Sequence, residues 1–151
     1  MKIYLASDHA AFQLKEEIKQ FLHESGLTPE DMGVYSSEKA NWAEYGAKAA
    51  QKVSEDPEHS RGIILCGSGI GMSIVSNKFK HVRAALCHTT QAAEMSRKHN
   101  NANVLNLGAR VIDNKTALDI VDTWLNTEFD GGRHQERLDY LQQHVEALNF
   151  K

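Results

Sequence analysis

Short apolar runs alternate with longer amphipathic stretches along this chain. Ile3-Tyr4-Leu5-Ala6 reads as a buried strand, and Phe12, Leu14, Ile18, Phe21 and Leu22 then recur near the period of a helix. Ser25-Gly26 ends that helix, and Thr28 to Tyr35 is a weaker strand interrupted by Pro29 and Gly33. Trp42 to Val53 reads as a second helix, closed by Asp56-Pro57. Gly62-Ile63-Ile64-Leu65-Cys66 is the clearest buried strand, and it runs into a glycine-rich turn and a helix from about Met72. A strand at Ala84 to Cys87, a helix from Thr90 to Lys98, a strand from Asn103 to Leu107 and a helix from Lys115 to Asn126 follow. The last helix, Arg133 to Leu148, carries Leu138, Leu141, Val145 and Leu148 on one side, as in a coiled-coil seam. Strands alternating with helices predict a parallel sheet covered on both faces. The expected fold is α/β: a three-layer, doubly wound, Rossmann-like sheet of five parallel strands, in a single domain over residues 1–151 with a C-terminal helix.

Composition narrows the setting. The chain of 151 residues is 41% hydrophobic and 25% charged, the ordinary range of a folded domain that holds a core without disulfides. Two cysteines cannot build a disulfide framework, so a reduced, cytoplasmic protein is expected. A net charge of −3 argues against nucleic-acid or membrane-surface partners. The longest uncharged stretch, Gly62 to Asn77, is 16 residues with four glycines, which is too short to span a bilayer. The apolar run before Asp8 is also too brief for a secretory signal.

In doubly wound sheets ligands bind beyond the carboxyl ends of the strands, so the residues after each strand carry the chemistry. Cys66-Gly67-Ser68-Gly69-Ile70-Gly71 is the sharpest of these segments. It is neither a dinucleotide fingerprint, since Met72 stands where a third glycine would be needed, nor a Walker loop. Its glycines let amides face an anion, and a thiol at the start of a helix is favoured as thiolate. A tight turn holding a buried cysteine is the simpler alternative. Asp8-His9 is either a helix cap beside a solvated imidazole or a carboxylate–imidazole pair for sugar hydroxyls or phosphate. His99-Asn100 is either an ordinary helix end or part of the site. Arg133 and Arg137 lie four residues apart, on one helix face, as an exposed basic face or a phosphate clamp that Arg110 could join. Histidines 23, 59, 81, 88, 134 and 144 show no metal-ligand spacing, so neither a metal nor another cofactor is expected.

Taken together, these segments resemble the type B ribose-5-phosphate isomerase family. The likeness is carried by Ser7-Asp8-His9-Ala10-Ala11, Cys66 to Ile74, Asn77-Lys78, Arg83 to Cys87, His99 to Leu105, Gly108 to Val111 and Gly131-Gly132-Arg133-His134. It runs to about Arg137. The resemblance implies metal-free aldose–ketose isomerisation of a phosphorylated sugar by a homodimer, possibly a tetramer, with shared active sites. On that likeness Cys66 is the base moving a proton between C1 and C2, while Asp8 and His99 assist ring opening. Ser68 takes a hydroxyl position often held by Thr, and amides from Gly67 through Gly69 to Gly71 steady the enediolate. His9, Arg110, Arg133 and Arg137 would hold phosphate and Asn100 a sugar oxygen. The chain departs from the family at Trp42-Ala43, where a Tyr-Pro pair is usual, so an indole donor replaces a phenol.

Three functions stay open on the sequence: a ribose-5-phosphate isomerase, an isomerase of 6-phosphohexoses such as galactose or allose 6-phosphate, and a non-catalytic flavodoxin-type nucleotide-binding module. A binding module has no use for a thiol at Cys66.

Overall fold

The computed structural model describes residues 1–149. The chain runs β1 (Lys2–Ser7), a 3-10 turn (His9–Ala11), α1 (Phe12–Glu24), β2 (Glu30–Asp31), α2 (Trp42–Glu55), β3 (Ser60–Cys66) and α3 (Ile70–Ser76). It continues through β4 (Ala84–Leu86), α4 (Thr90–Asn100), β5 (Val104–Gly108), α5 (Asn114–Leu125) and α6 (Arg133–Tyr140). A π-helical segment, Leu141–Glu146, and a last turn, α7 (Ala147–Asn149), complete it. All strand pairs are parallel, in the order β2-β1-β3-β5-β4.

The alternation of side chains along each strand builds two cores. Ile3, Leu5, Ile63, Leu65, Leu105 and Leu107 face α1 and α5, where Leu14, Ile18, Ile120 and Trp124 meet them. Tyr4, Ala6, Ile64, Cys66 and Val104 face the other way, against Ala49, Ala50 and Val53 of α2 and Met72 of α3. The expected doubly wound three-layer fold is therefore present. Residues 150 and 151 of the expected single domain lie outside the described residues.

The structure departs from the sequence expectation in three places. The strand expected over Thr28 to Tyr35 shrinks to two residues, although Met32 and Val34 still donate to Leu5 and Ser7 carbonyls. An ion pair holds that edge instead: the fully buried Lys15 Nζ lies 2.6 Å from Asp31. The helix expected from Met72 begins at Ile70. The seam expected along the last helix does not stay regular, because the π-helical turn at Leu141–Glu146 interrupts the α-helical spacing. Leu138, Leu141 and Val145 line a groove against Phe79 and Val82, while Leu148 stays exposed.

Strand order positions the chemistry. β1 and β3 are neighbours, with Ser7 level with Leu65, so Asp8 and Cys66 emerge side by side. β2 lies on one side of β1 and every later strand on the other, which makes this the switch point where ligands bind. β5 flanks β3, with Gly108 level with Cys66, and so brings Arg110 to the same crevice.

Candidate active site

A cavity of about 360 Å³ opens at the carboxyl ends of β1, β3 and β5, lined by Asp8, His9, Trp42, Cys66, Ser68 and Arg110 among others. Asp8 is nearly fully buried, and its Oδ1 accepts the amides of Ala10 and Ala11 at 3.0 and 3.3 Å. Both cap bonds use one oxygen, so Oδ2 remains available to a sugar hydroxyl. The two sequence readings of Asp8 are thus compatible. His9 Nδ1 lies 3.1 Å from the Ala40 amide nitrogen and 3.3 Å from the Ala40 carbonyl oxygen, which anchors the ring at the rim of the crevice.

Cys66 ends β3 and is 5% exposed. The loop that follows folds back on it: the Gly69 N–H donates to Cys66 Sγ at 3.1 Å. Gly69 takes φ +78°, a conformation costly for any other residue, and a Cβ there would lie 2.5 Å from the Leu86 side chain. Ser68 Oγ accepts the Ile70 N–H at 3.2 Å. Two of the amides expected to steady an enediolate are therefore engaged, and Gly67, Ser68 and Gly71 supply the rest of the segment. A Cβ on Gly67 would stand 3.3 Å from the Arg110 Cδ and Nη1, so that side chain lies across the loop. The Arg110 N–H donates to the Gly67 carbonyl at 2.9 Å, which ties the two loops together. Trp42 covers Gly71, where a Cβ would meet the indole at 2.8 Å. The chain contains a second free cysteine, Cys87, whose thiol is pushed up by burial and stays out of the cavity.

His99, Asn100, Arg133 and Arg137 are elsewhere. α4 runs antiparallel to the strands for 11 residues, so its last turn sits about 16 Å from its start and at the opposite edge of the sheet. There the His99 ring stacks on His134 with centroids 4.4 Å apart. Gly131 and Gly132, at φ +67° and +56°, turn the chain into α6, which displays Arg133 and Arg137 to solvent. The Asp130 N–H donates to the Lys98 carbonyl at 3.1 Å and fixes this turn to the end of α4. The His134 imidazole is held below its ordinary range, first by desolvation and then by His99, Arg133 and Arg137. His88 and Thr89 follow the edge strand β4 rather than the switch point, and Thr89 is spent capping α4 by accepting the Ala92 N–H.

Folding also joins side chains that sequence spacing did not connect. The ligand atoms of His99, Asp130 and His134 lie within 4.8 Å of one another. Asp130 and His134 are four residues apart around the glycine pair, the signal that could have marked them; only the fold adds His99.

Residues 3–141 match the model of the Ribose/Galactose Isomerase family. The chain belongs to this family. The ribose-5-phosphate isomerase B of Escherichia coli K12 is 42% identical, the match covering 93% of each chain. Among solved structures, ribose-5-phosphate isomerase B of Clostridium thermocellum superposes with a TM-score of 0.93 at 44% identity, covering 98% of this chain and 99% of that one. The Mycoplasma genitalium ribose-5-phosphate isomerase B, solved with bound ribulose 5-phosphate, gives a TM-score of 0.92 at 35% identity, covering 95% of each chain. Membership in an isomerase family sets aside the non-catalytic flavodoxin-type module. No described helix is long and apolar enough to cross a membrane.

Proposed function

We propose that this isomerase interconverts ribose 5-phosphate and ribulose 5-phosphate through an enediolate, in active sites shared by two subunits. One observation carries the shared-site reading: the residues assigned by resemblance divide between opposite edges of one sheet. Asp8, His9, Cys66, Ser68 and Arg110 line the crevice at the carboxyl edge. His99 and His134 stack at the other edge, beside Arg133 and Arg137. A two-fold partner turned end to end supplies the second set to the first.

In this reading the Cys66 thiolate takes the proton from C2 of the open-chain aldose. The electron pair moves toward the C1 carbonyl, and the oxygen charge is met by amides of the Gly67–Gly71 segment. The thiol then returns the proton to C1 while the C2 hydroxyl proton passes to O1, giving the ketose with no net change in atoms or electrons. Asp8 Oδ2 and the partner's His99 move the protons that open the sugar ring. The partner's Asn100 holds a sugar oxygen. His9 and Arg110, with the partner's Arg133 and Arg137, hold the phosphate, which does not react and so serves positioning. The exposed apolar residues Ile70, Ile74, Val111 and Tyr140 offer surface for the pairing.

The test is complementation between inactive subunits. Cys66→Ala and His99→Ala proteins are mixed and allowed to exchange. A shared site predicts heterodimers with one intact site and one doubly damaged site, so activity on ribose 5-phosphate returns toward half of wild type. Absence of recovery after verified exchange shows that each subunit builds its own site.

A further inference from the structure

Two imidazoles and one carboxylate come together at the junction of α4 and α6. His99 comes from the last turn of α4, Asp130 from the loop before the glycine pair and His134 from the first turn of α6. Their ligand atoms already lie within 4.8 Å of one another. A zinc-class ion takes imidazole nitrogen at about 2.0–2.1 Å and carboxylate oxygen at about 2.0–2.2 Å, so ligands arranged tetrahedrally around it stand about 3.4 Å apart. The two imidazoles are stacked with their planes 15° apart, so the rings must turn out of the stack before their in-plane lone pairs meet on one ion. The backbone that carries them is tied down: the Asp130 N–H is bonded to the Lys98 carbonyl and the His134 N–H to the Gly131 carbonyl. Lys98, the nearest ammonium on α4, is engaged by Glu94. We propose that His99, Asp130 and His134 form a three-ligand site for a borderline-soft divalent cation of the zinc class, and that occupancy inhibits the isomerase by withdrawing His99.

The donor set fits this class of ion. Two neutral nitrogens and one carboxylate suit zinc or cobalt, whereas calcium and magnesium want oxygen ligands alone. Arg133 and Arg137 lie close enough to act on His134 and work against any cation, so the one anionic ligand matters most. Asp130 is also outside the residues assigned to catalysis. A bound cation occupies the lone pair that His99 needs to move a proton, and sugar phosphate and cation exclude each other. The inhibitory consequence rests on the reading of His99 given above; the binding site does not.

Cobalt(II), whose visible bands report coordination geometry, is titrated into native protein, Asp130→Asn, His134→Gln and Cys66→Ala. Turnover of ribose 5-phosphate is followed separately with chelator and with added zinc. Wild type and Cys66→Ala should bind one cobalt per subunit with the spectrum of a nitrogen–oxygen site. Asp130→Asn and His134→Gln should bind at least about 100-fold more weakly, beyond the 10–100-fold that loss of an outer partner costs. With chelator, Asp130→Asn should turn over as wild type does, and it should resist zinc by a similar factor. Equal cobalt uptake by Asp130→Asn overturns the site, as does loss of the bands in Cys66→Ala, which would place the metal on the thiolate. Cobalt binding without zinc inhibition overturns the inhibitory role. A protein inactive on ribose 5-phosphate even with chelator refutes the proposed substrate, while the cobalt titration still decides the site.

Discussion

The Gly69 amide donates to the sulfur of Cys66, three residues earlier, at 3.1 Å. The bond fixes the thiol at the floor of the crevice and requires the left-handed backbone of Gly69. The loop that follows β3 thus orients the thiol proposed as the base.

Cys66→Ala should lower kcat by about 10²–10⁴ while leaving sugar-phosphate binding near wild type, because a general base acts in the transition state. Steady-state kinetics with a direct binding titration checks both halves; near-normal kcat would remove Cys66 from the base role. Cys66 should also be alkylated faster than Cys87 in the native protein. The Cys87 thiol is pushed up by burial, and only the thiolate reacts. Mass spectrometry of timed iodoacetamide reactions reads the two rates, and equal rates contradict the assignment.

Gly108→Ala should depress turnover without disturbing the β5 hydrogen bonds. A methyl group there would lie 2.5 Å from the Ser68 carbonyl oxygen, so the loop after Cys66 must shift away. Displacements near 1 Å can cost about 10²-fold in rate. Comparing kcat with the melting temperature tests this; unchanged kcat would show that the loop's distance from β5 is immaterial.

Trp42→Tyr should move the preference between five- and six-carbon substrates more than it changes overall rate. Trp42 lines the crevice and lies against Gly71, so it sets the size of the wall facing the sugar. Such walls discriminate one carbon by about 1–3 kcal/mol. The ratio of kcat/KM for ribose 5-phosphate and a 6-phosphohexose measures it, and an invariant ratio would exclude Trp42 from substrate contact.

Asp31→Asn should destabilise the fold by about 3 kcal/mol, since it leaves the fully buried Lys15 ammonium with only the more exposed Glu16 carboxylate, at 2.9 Å. For a domain of this size that is a fall of roughly 6–12 °C in melting temperature. The Asp31 carboxyl is held below its ordinary range: burial raises it, but bonds from Lys15, Lys19 and the Gly33 amide outweigh burial. A depressed carboxylate stabilises above its unfolded pKa of about 3.9, and the benefit is lost as pH falls through the folded value. The gap between variant and wild type should therefore be full at pH 7 and narrow on acidification below about pH 4. A gap independent of pH would mean that packing, not charge, holds β2.

Asp8 and Cys66 were legible because each directly follows an apolar run, and the end of a parallel strand is where a doubly wound fold keeps its ligands. Arg110 was harder. Its place depends on β5 lying beside β3, and strand order leaves no mark in local periodicity. The strand expected over Thr28 to Tyr35 was found, but its shrinking to two residues escaped for a related reason: its edge is held by Lys15 reaching across from α1, a long-range ion pair. His99 could be placed at the far edge from its position ahead of β5. Its stacking on His134 could not, since Gly131 and Gly132 say that the chain turns but not toward what.

The place of β5 also sets the order in which the molecule can be completed. Ribosomal synthesis delivers β1 to β4 before residue 104, yet among the described residues β4 has no sheet neighbour except β5. Until that strand emerges, the nascent sheet ends at β3 and exposes its hydrogen-bonding edge. Ala84–Leu86 must wait beside a gap the width of one strand. The last strand made is therefore an inserted keystone rather than an added edge. Chains arrested before it present an open ladder of the kind that invites association with other chains.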